Sequence, residues 1–114
     1  MRSLFQGKSA ITDFLNPRNH PSTPLVELPE SLTPGHDKGV RIYCKMMTSL
    51  PLMNVKSLAA YEMLAEVDTE KTNEIVEASS GNTAYSVAMI ANSMGISNVT
   101  ALVSKEVTPA KLKL

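Results

Sequence analysis

Between residues 40 and 103, apolar runs too short for helices alternate with longer stripes at helical spacing, an order that points to an α/β architecture. Residues 40–45, β-branched and aromatic, predict a strand, and residues 49–54, containing Pro51, predict a loop. Val55, Ala59 and Met63 recur at fourfold spacing beside Ala60 and Leu64, which predicts a helix over 55–65 with Lys56 at its start. Residues 75–78 read as a buried strand. A helix follows over 83–94 with Val87, Ile90, Ala91 and Met94 turned inward and Gly95 as its stop. Residues 99–103 give another strand, and Thr108-Pro109 suits the start of a helix running towards Leu114. Strand and helix in strict alternation predict parallel pairing with right-handed crossovers.

The region ahead of this is simpler. Residues 1–23 read as an arm, in which Ala10–Leu15 forms a short helix stopped by Asn16-Pro17. Arg2, Lys8 and Arg18 would suit a mitochondrial presequence, but Asp13 and Pro17 argue for an ordered arm. The apolar run 25–28, set between Pro24 and Pro29, predicts an edge strand, and residues 30–39, with Pro34-Gly35 and Gly39, a turn region.

A chain of 114 residues holds one core and leaves no room for a second domain. Zero net charge gives no footprint for nucleic acid or an anionic membrane, and no run reaches the length of a transmembrane helix. The expected partner is a small molecule. Cys44 cannot pair within the chain, so a reducing compartment, the cytoplasm, is expected, with Cys44 a packed strand residue. His20 and His36 lack ligand spacing and no metal site is expected. The glycines form neither G-x-G-x-x-G nor a P-loop, which argues against a nucleotide enzyme.

Two segments carry chemistry. Lys56, in Asn54-Val55-Lys56-Ser57, is an amine able to condense with a carbonyl cofactor, and lining by Leu52, Met53 and Val55 would favour its neutral form. The bland alternative is a lysine snorkelling from an amphipathic helix. Ser79-Ser80-Gly81-Asn82-Thr83 joins a strand to a helix, and its hydroxyls and free N–H groups suit a carboxylate or phosphate. The same residues are also good turn and cap chemistry without any ligand.

From about Ser22 onward the chain resembles the fold-type II pyridoxal phosphate enzymes, the family of cysteine synthase, cystathionine β-synthase and threonine dehydratase. Ser22-Thr23-Pro24-Leu25 is similar to that family's Asn-Thr-Pro-Leu opening, Val55-Lys56 to its Ser-Val-Lys segment, and Glu77-Ala78-Ser79-Ser80-Gly81-Asn82-Thr83 to its substrate loop. Three markers in the right order are more specific than any one. The resemblance implies pyridoxal 5'-phosphate as cofactor, with Lys56 as the Schiff-base lysine and Asn82 bonded to the cofactor's phenolic oxygen. It also implies that Ser79, Ser80, Gly81, Asn82 and Thr83 hold an amino-acid substrate, above all its α-carboxylate. The implied reaction is β-elimination or β-replacement on a serine-like amino acid.

The implied architecture is a three-layer αβα Rossmann-like domain with a mostly parallel sheet, here the incomplete N-terminal portion, residues 24–114, of a two-domain enzyme. The family's later Gly-rich phosphate loop, and the later Ser or Thr at the pyridine nitrogen, have no counterpart in this sequence. Ser57-Leu58 stands where many cysteine synthases have Asp-Arg, which leaves room for a different β-substituted substrate. The rival reading is a non-catalytic interaction module. In it Leu50, Leu52 and Met53 lie uncovered, and the chain associates as a homo-oligomer or with a missing C-terminal half.

Overall fold

A computed structural model of the chain describes residues 3–110. In chain order it contains α1 (Ala10–Leu15), β1 (Leu25–Glu27), β2 (Tyr43–Lys45), α2 (Lys56–Ala65), β3 (Ile75–Glu77), α3 (Asn82–Ser93) and β4 (Val99–Ala101), with single 3-10 turns between several of them. This is an α/β chain, but its strands form two separate two-stranded sheets among the described residues. β1 and β2 pair antiparallel, Val26 opposite Cys44, whereas β3 and β4 pair parallel, Val76 opposite Thr100. The parallel pairing expected among residues 40–45, 75–78 and 99–103 therefore holds only for β3–α3–β4: α2 lies between β2 and β3, yet β2 pairs with β1 in the other sheet. Parallel strands need a long crossover, normally a helix. The segment between β1 and β2 contains only 3-10 turns at Glu30–Leu32 and His36–Lys38, so the chain folds straight back.

The core is centred on α2 and α3. Ala60, Leu64, Val87, Ile90 and Ala91 are buried between them, joined by Leu15 from α1, Leu52 from the loop and Ile96 after α3. Ala60 and Ala91 are fully buried, and their small side chains let the helix backbones approach closely. The face that α2 buries keeps only Ala60 and Leu64 of the predicted stripe. Ser57, Ala60 and Leu64 face inward, while Val55 and Met63 are about half exposed and Ala59 lies at the surface. Gly95 ends α3 as predicted: at φ 93° it turns the chain so that the Ile96 N–H donates to the Ala91 carbonyl (3.0 Å), and Ile96 drops into the core.

The sheets lie outside this core. Val76 is 56 % exposed, so β3 is not the buried strand expected, and Leu25, Val26 and Tyr43 of the other sheet are also open to solvent. Cys44 is half-buried. The molecule measures 58 × 41 × 21 Å with a radius of gyration of 17.7 Å. A compact domain of this length would have a radius near ~13 Å. The single compact unit expected from length alone is thus replaced by a flat, open one. Beyond the turn at Pro109, the predicted last helix lies outside the described residues. No helix among the described residues is long and apolar enough to cross a membrane.

Candidate active site

The approach to Lys56 is held by backbone and amide bonds. Leu50 and Leu52 are buried and anchor the loop, then Met53 turns it with φ 52°, a left-handed conformation uncommon for a residue with a Cβ. Asn54 follows and organises everything after it. Its Oδ1 accepts from the Ser57 N–H (3.2 Å), its carbonyl accepts from the Ser57 hydroxyl (2.7 Å), and its Nδ2 donates to the Leu52 carbonyl (2.7 Å). An Asn bonded to the N–H three residues on is helix-capping geometry, and Asn54 provides it from one residue ahead of Val55, which flanks α2 in helical conformation and makes no side-chain cap itself. Lys56 is the first residue of α2 and is exposed, with no hydrogen bond or ion pair among the described residues. The apolar lining expected around it is not formed, because Leu52 belongs to the core while Met53 (70 % exposed) and Val55 face outward.

The loop after β3 is organised differently. Gly81 adopts φ 78° and ψ −138°, a conformation open essentially only to glycine, and α3 starts at Asn82 with no side chain capping it. The first backbone bond of the helix runs from the Tyr85 N–H to the Gly81 carbonyl (3.0 Å), leaving the N–H groups of Asn82, Thr83 and Ala84 without a backbone acceptor. Nor do the side chains of Ser79, Ser80, Asn82 and Thr83 bond to anything among the described residues. Cap and turn chemistry would have consumed these hydroxyls. Here they remain accessible beside the positive end of a helix, the arrangement that receives an anion.

One contact brings the two segments to the same end of the helix pair. Ser86, in α3 and fully buried, lies 3.2 Å from Asn54 Nδ2 and 3.3 Å from Asn54 Oδ1. Ser86 is one turn beyond Asn82, and Asn54 is two residues before Lys56, so the open start of α3 is held against the start of the lysine helix. Asn54, Ser57 and Ser86 have no role of their own in the sequence reading, whereas Met53 is expected there to line Lys56 and instead faces outward. The Asn54…Ser57 spacing is a cap signal, and Ser86 interrupts an otherwise apolar face of α3, so both could have been found.

A groove of about 370 Å³ lies elsewhere, between the 17–23 arm and Lys45, Met47 and Leu58, and includes none of the expected site residues. His20 is committed to the arm, its ring packed with Phe5 and Phe14 and its Nε2 donating to the Phe14 carbonyl. His36 lies 3.6 Å from Glu30.

A family model described as pyridoxal-phosphate dependent enzyme matches residues 18–114. The chain belongs to that family. Among curated proteins, this member of the pyridoxal-phosphate dependent enzymes is 41% identical over 76 residues to cysteine synthase B of Salmonella typhimurium, and 40% identical over 76 residues to that of Escherichia coli. Each of these matches takes in 61% of this chain and 23% of the relative. Cysteine synthase B of Campylobacter jejuni is 34% identical over 79 residues, covering 66% of this chain and 24% of that protein. The chain therefore spans about a quarter of the length of the curated relatives it matches.

The family's cofactor is pyridoxal phosphate, and the donors fit it: an accessible lysine amine and an uncapped helix start, held at one end of the same helix pair.

Proposed function

We propose that this chain supplies the lysine and the carboxylate loop of a pyridoxal phosphate-dependent enzyme that carries out β-elimination or β-replacement on a serine-like amino acid, in the manner of cysteine synthase. The observation that carries the reading is the open start of α3, whose N–H groups and hydroxyls have no acceptor or donor among the described residues, held against the helix of Lys56 through Asn54 and Ser86. When bound, the cofactor supplies the electron sink for breaking bonds at the substrate Cα. Lys56 supplies the amine that anchors the cofactor and afterwards a base for the Cα proton. The Asn82 amide is suited to the cofactor's phenolic oxygen. Ser79, Ser80, Thr83 and the backbone at Gly81 bind and orient the α-carboxylate.

In this reading residues 1–23 are an arm and residues 24–114 are part of one catalytic domain. The β3–β4 pair seeds the three-layer αβα, mostly parallel architecture, with further strands added at its open edges. The test is to incubate the protein with pyridoxal 5'-phosphate, reduce with borohydride and map the labelled peptides. Label concentrated on Lys56 is the expected result; label scattered over the surface lysines would reject the assignment.

A second reading draws on the shape. The exposed surface is 8106 Å². A compact monomer of this mass would expose roughly 6,100 Å². With Leu25, Val26, Tyr43 and Val76 exposed on thin sheets, the fold suits association with another copy or with the remainder of an enzyme. Of the uncovered face expected at Leu50, Leu52 and Met53, only Met53 is exposed, and Leu50 and Leu52 are buried. Sedimentation is expected to show self-association, and a well-behaved monomer at all concentrations would count against it.

A further inference from the structure

We propose that Asn54 and Ser86 are positioning residues for Lys56: their side-chain bond fixes the start of the lysine helix against the start of α3, and so determines how selectively the Lys56 amine captures a phosphate-bearing aldehyde. The inference rests on the reading above and adds a role for Asn54, within the lysine segment, and for Ser86, which lies outside both motif segments.

The geometry separates two jobs within Asn54. Towards its own helix, Oδ1 holds the Ser57 N–H, and a serine at the same position would do this equally well. Towards α3, only the full length of the asparagine side chain reaches Ser86, with the hydroxyl able to accept from Nδ2 and donate to Oδ1. Ser86 is 0% exposed and has no other side-chain partner among the described residues, so nothing else replaces this bond. Around it the packing is apolar and tolerant of sliding. Ala60, Val87 and Ala91 are small or smooth, and dispersion contacts of that kind do not define register sharply. A directional bond adjacent to Lys56 does.

The experiment uses the whole chain and reads a ratio. Pyridoxal 5'-phosphate and borohydride are applied briefly, and modification of Lys56 is compared by peptide mass with that of Lys105, an exposed lysine remote from both helix starts in sequence. Ser86→Ala removes the bridge and keeps the cap, and Asn54→Ser keeps the cap while being too short to bridge. Each is expected to lower the Lys56-to-Lys105 ratio at least fivefold, and the double variant to lower it no further. General loosening raises the labelling of both lysines and leaves the ratio in place, so a merely structural role does not mimic the result. If wild-type Lys56 is selective and the ratio is unchanged in both variants, or falls multiplicatively in the double variant, positioning by this pair is overturned and the proposed function stands. If wild-type Lys56 shows no selectivity, the cofactor assignment fails and this inference falls with it. Should one single variant fail to fold, the other decides by the same ratio.

Discussion

The two helix starts at the candidate site solve the same problem in opposite ways. At α2 the chain satisfies itself, with Asn54 taking up the Ser57 N–H, the Leu52 carbonyl and the Ser86 hydroxyl. At α3 a glycine in a conformation closed to other residues begins the helix with three N–H groups free and four polar side chains unused among the described residues. The contrast shows where structure and function divide. Polar groups at the first start are spent on fixing the beginning of the lysine's helix, and those at the second are left for something that arrives from solution.

That contrast is most directly broken by removing the self-satisfied cap. Asn54→Ala loses a cap worth about 1 kcal/mol and leaves the buried Ser86 hydroxyl without a partner, for a combined loss of roughly 2 to 3 kcal/mol. The equivalent truncation at the open start, Thr83→Ala, is expected to change stability by less than ~0.5 kcal/mol. Urea unfolding of the two variants side by side gives the comparison, and equal losses would erase it. A smaller effect is expected at Met53, whose left-handed backbone costs about 1 kcal/mol for a residue with a Cβ. Because its side chain is 70 % exposed, little packing is lost in Met53→Gly. A net gain of about 0.5 kcal/mol follows once the greater freedom of the unfolded glycine is subtracted. A loss instead would mean that the Met53 side chain secures the loop. The smallest change sharpens the picture at α3. Asn82→Asp puts a negative charge in the first turn of an uncapped helix and should add about 0.3 to 0.5 kcal/mol, while weakening retention of an anion at the same N–H groups. Thermal melts with and without added phosphate read both consequences, and destabilisation would show that the Asn82 amide is already engaged.

Much of this was readable from the residues. The stop of α1 follows from Asn16-Pro17 and that of α3 from Gly95, because proline and glycine act locally and need no knowledge of the rest of the fold. The buried face of α2 was legible at Ala60 and Leu64 but not at Val55, Ala59 and Met63, because close helix approach favours Ser57, a small residue that a hydrophobicity pattern undervalues. Strand pairing was legible only in part: α3 joins β3 and β4 as a parallel pair, but α2 does not do the same for β2 and β3, because β2 returns antiparallel onto β1 through a loop whose 3-10 turns leave no periodic trace. At the site, Lys56 and the 79–83 loop stood out by residue type. What their neighbours do for them emerged only from distances, since an amide reaching across 32 positions of sequence has no local signature.

The molecule is only 21 Å through its thinnest dimension, about the depth of a helix layer against a sheet. A body that thin has few side chains shielded on every side, so its folding free energy is sensitive to whatever leans on its flanks. Anything that binds the folded chain in preference to the unfolded one raises the melting temperature by mass action. Diluting the protein should then lower that temperature steadily, in contrast to the fixed value of a self-sufficient monomer.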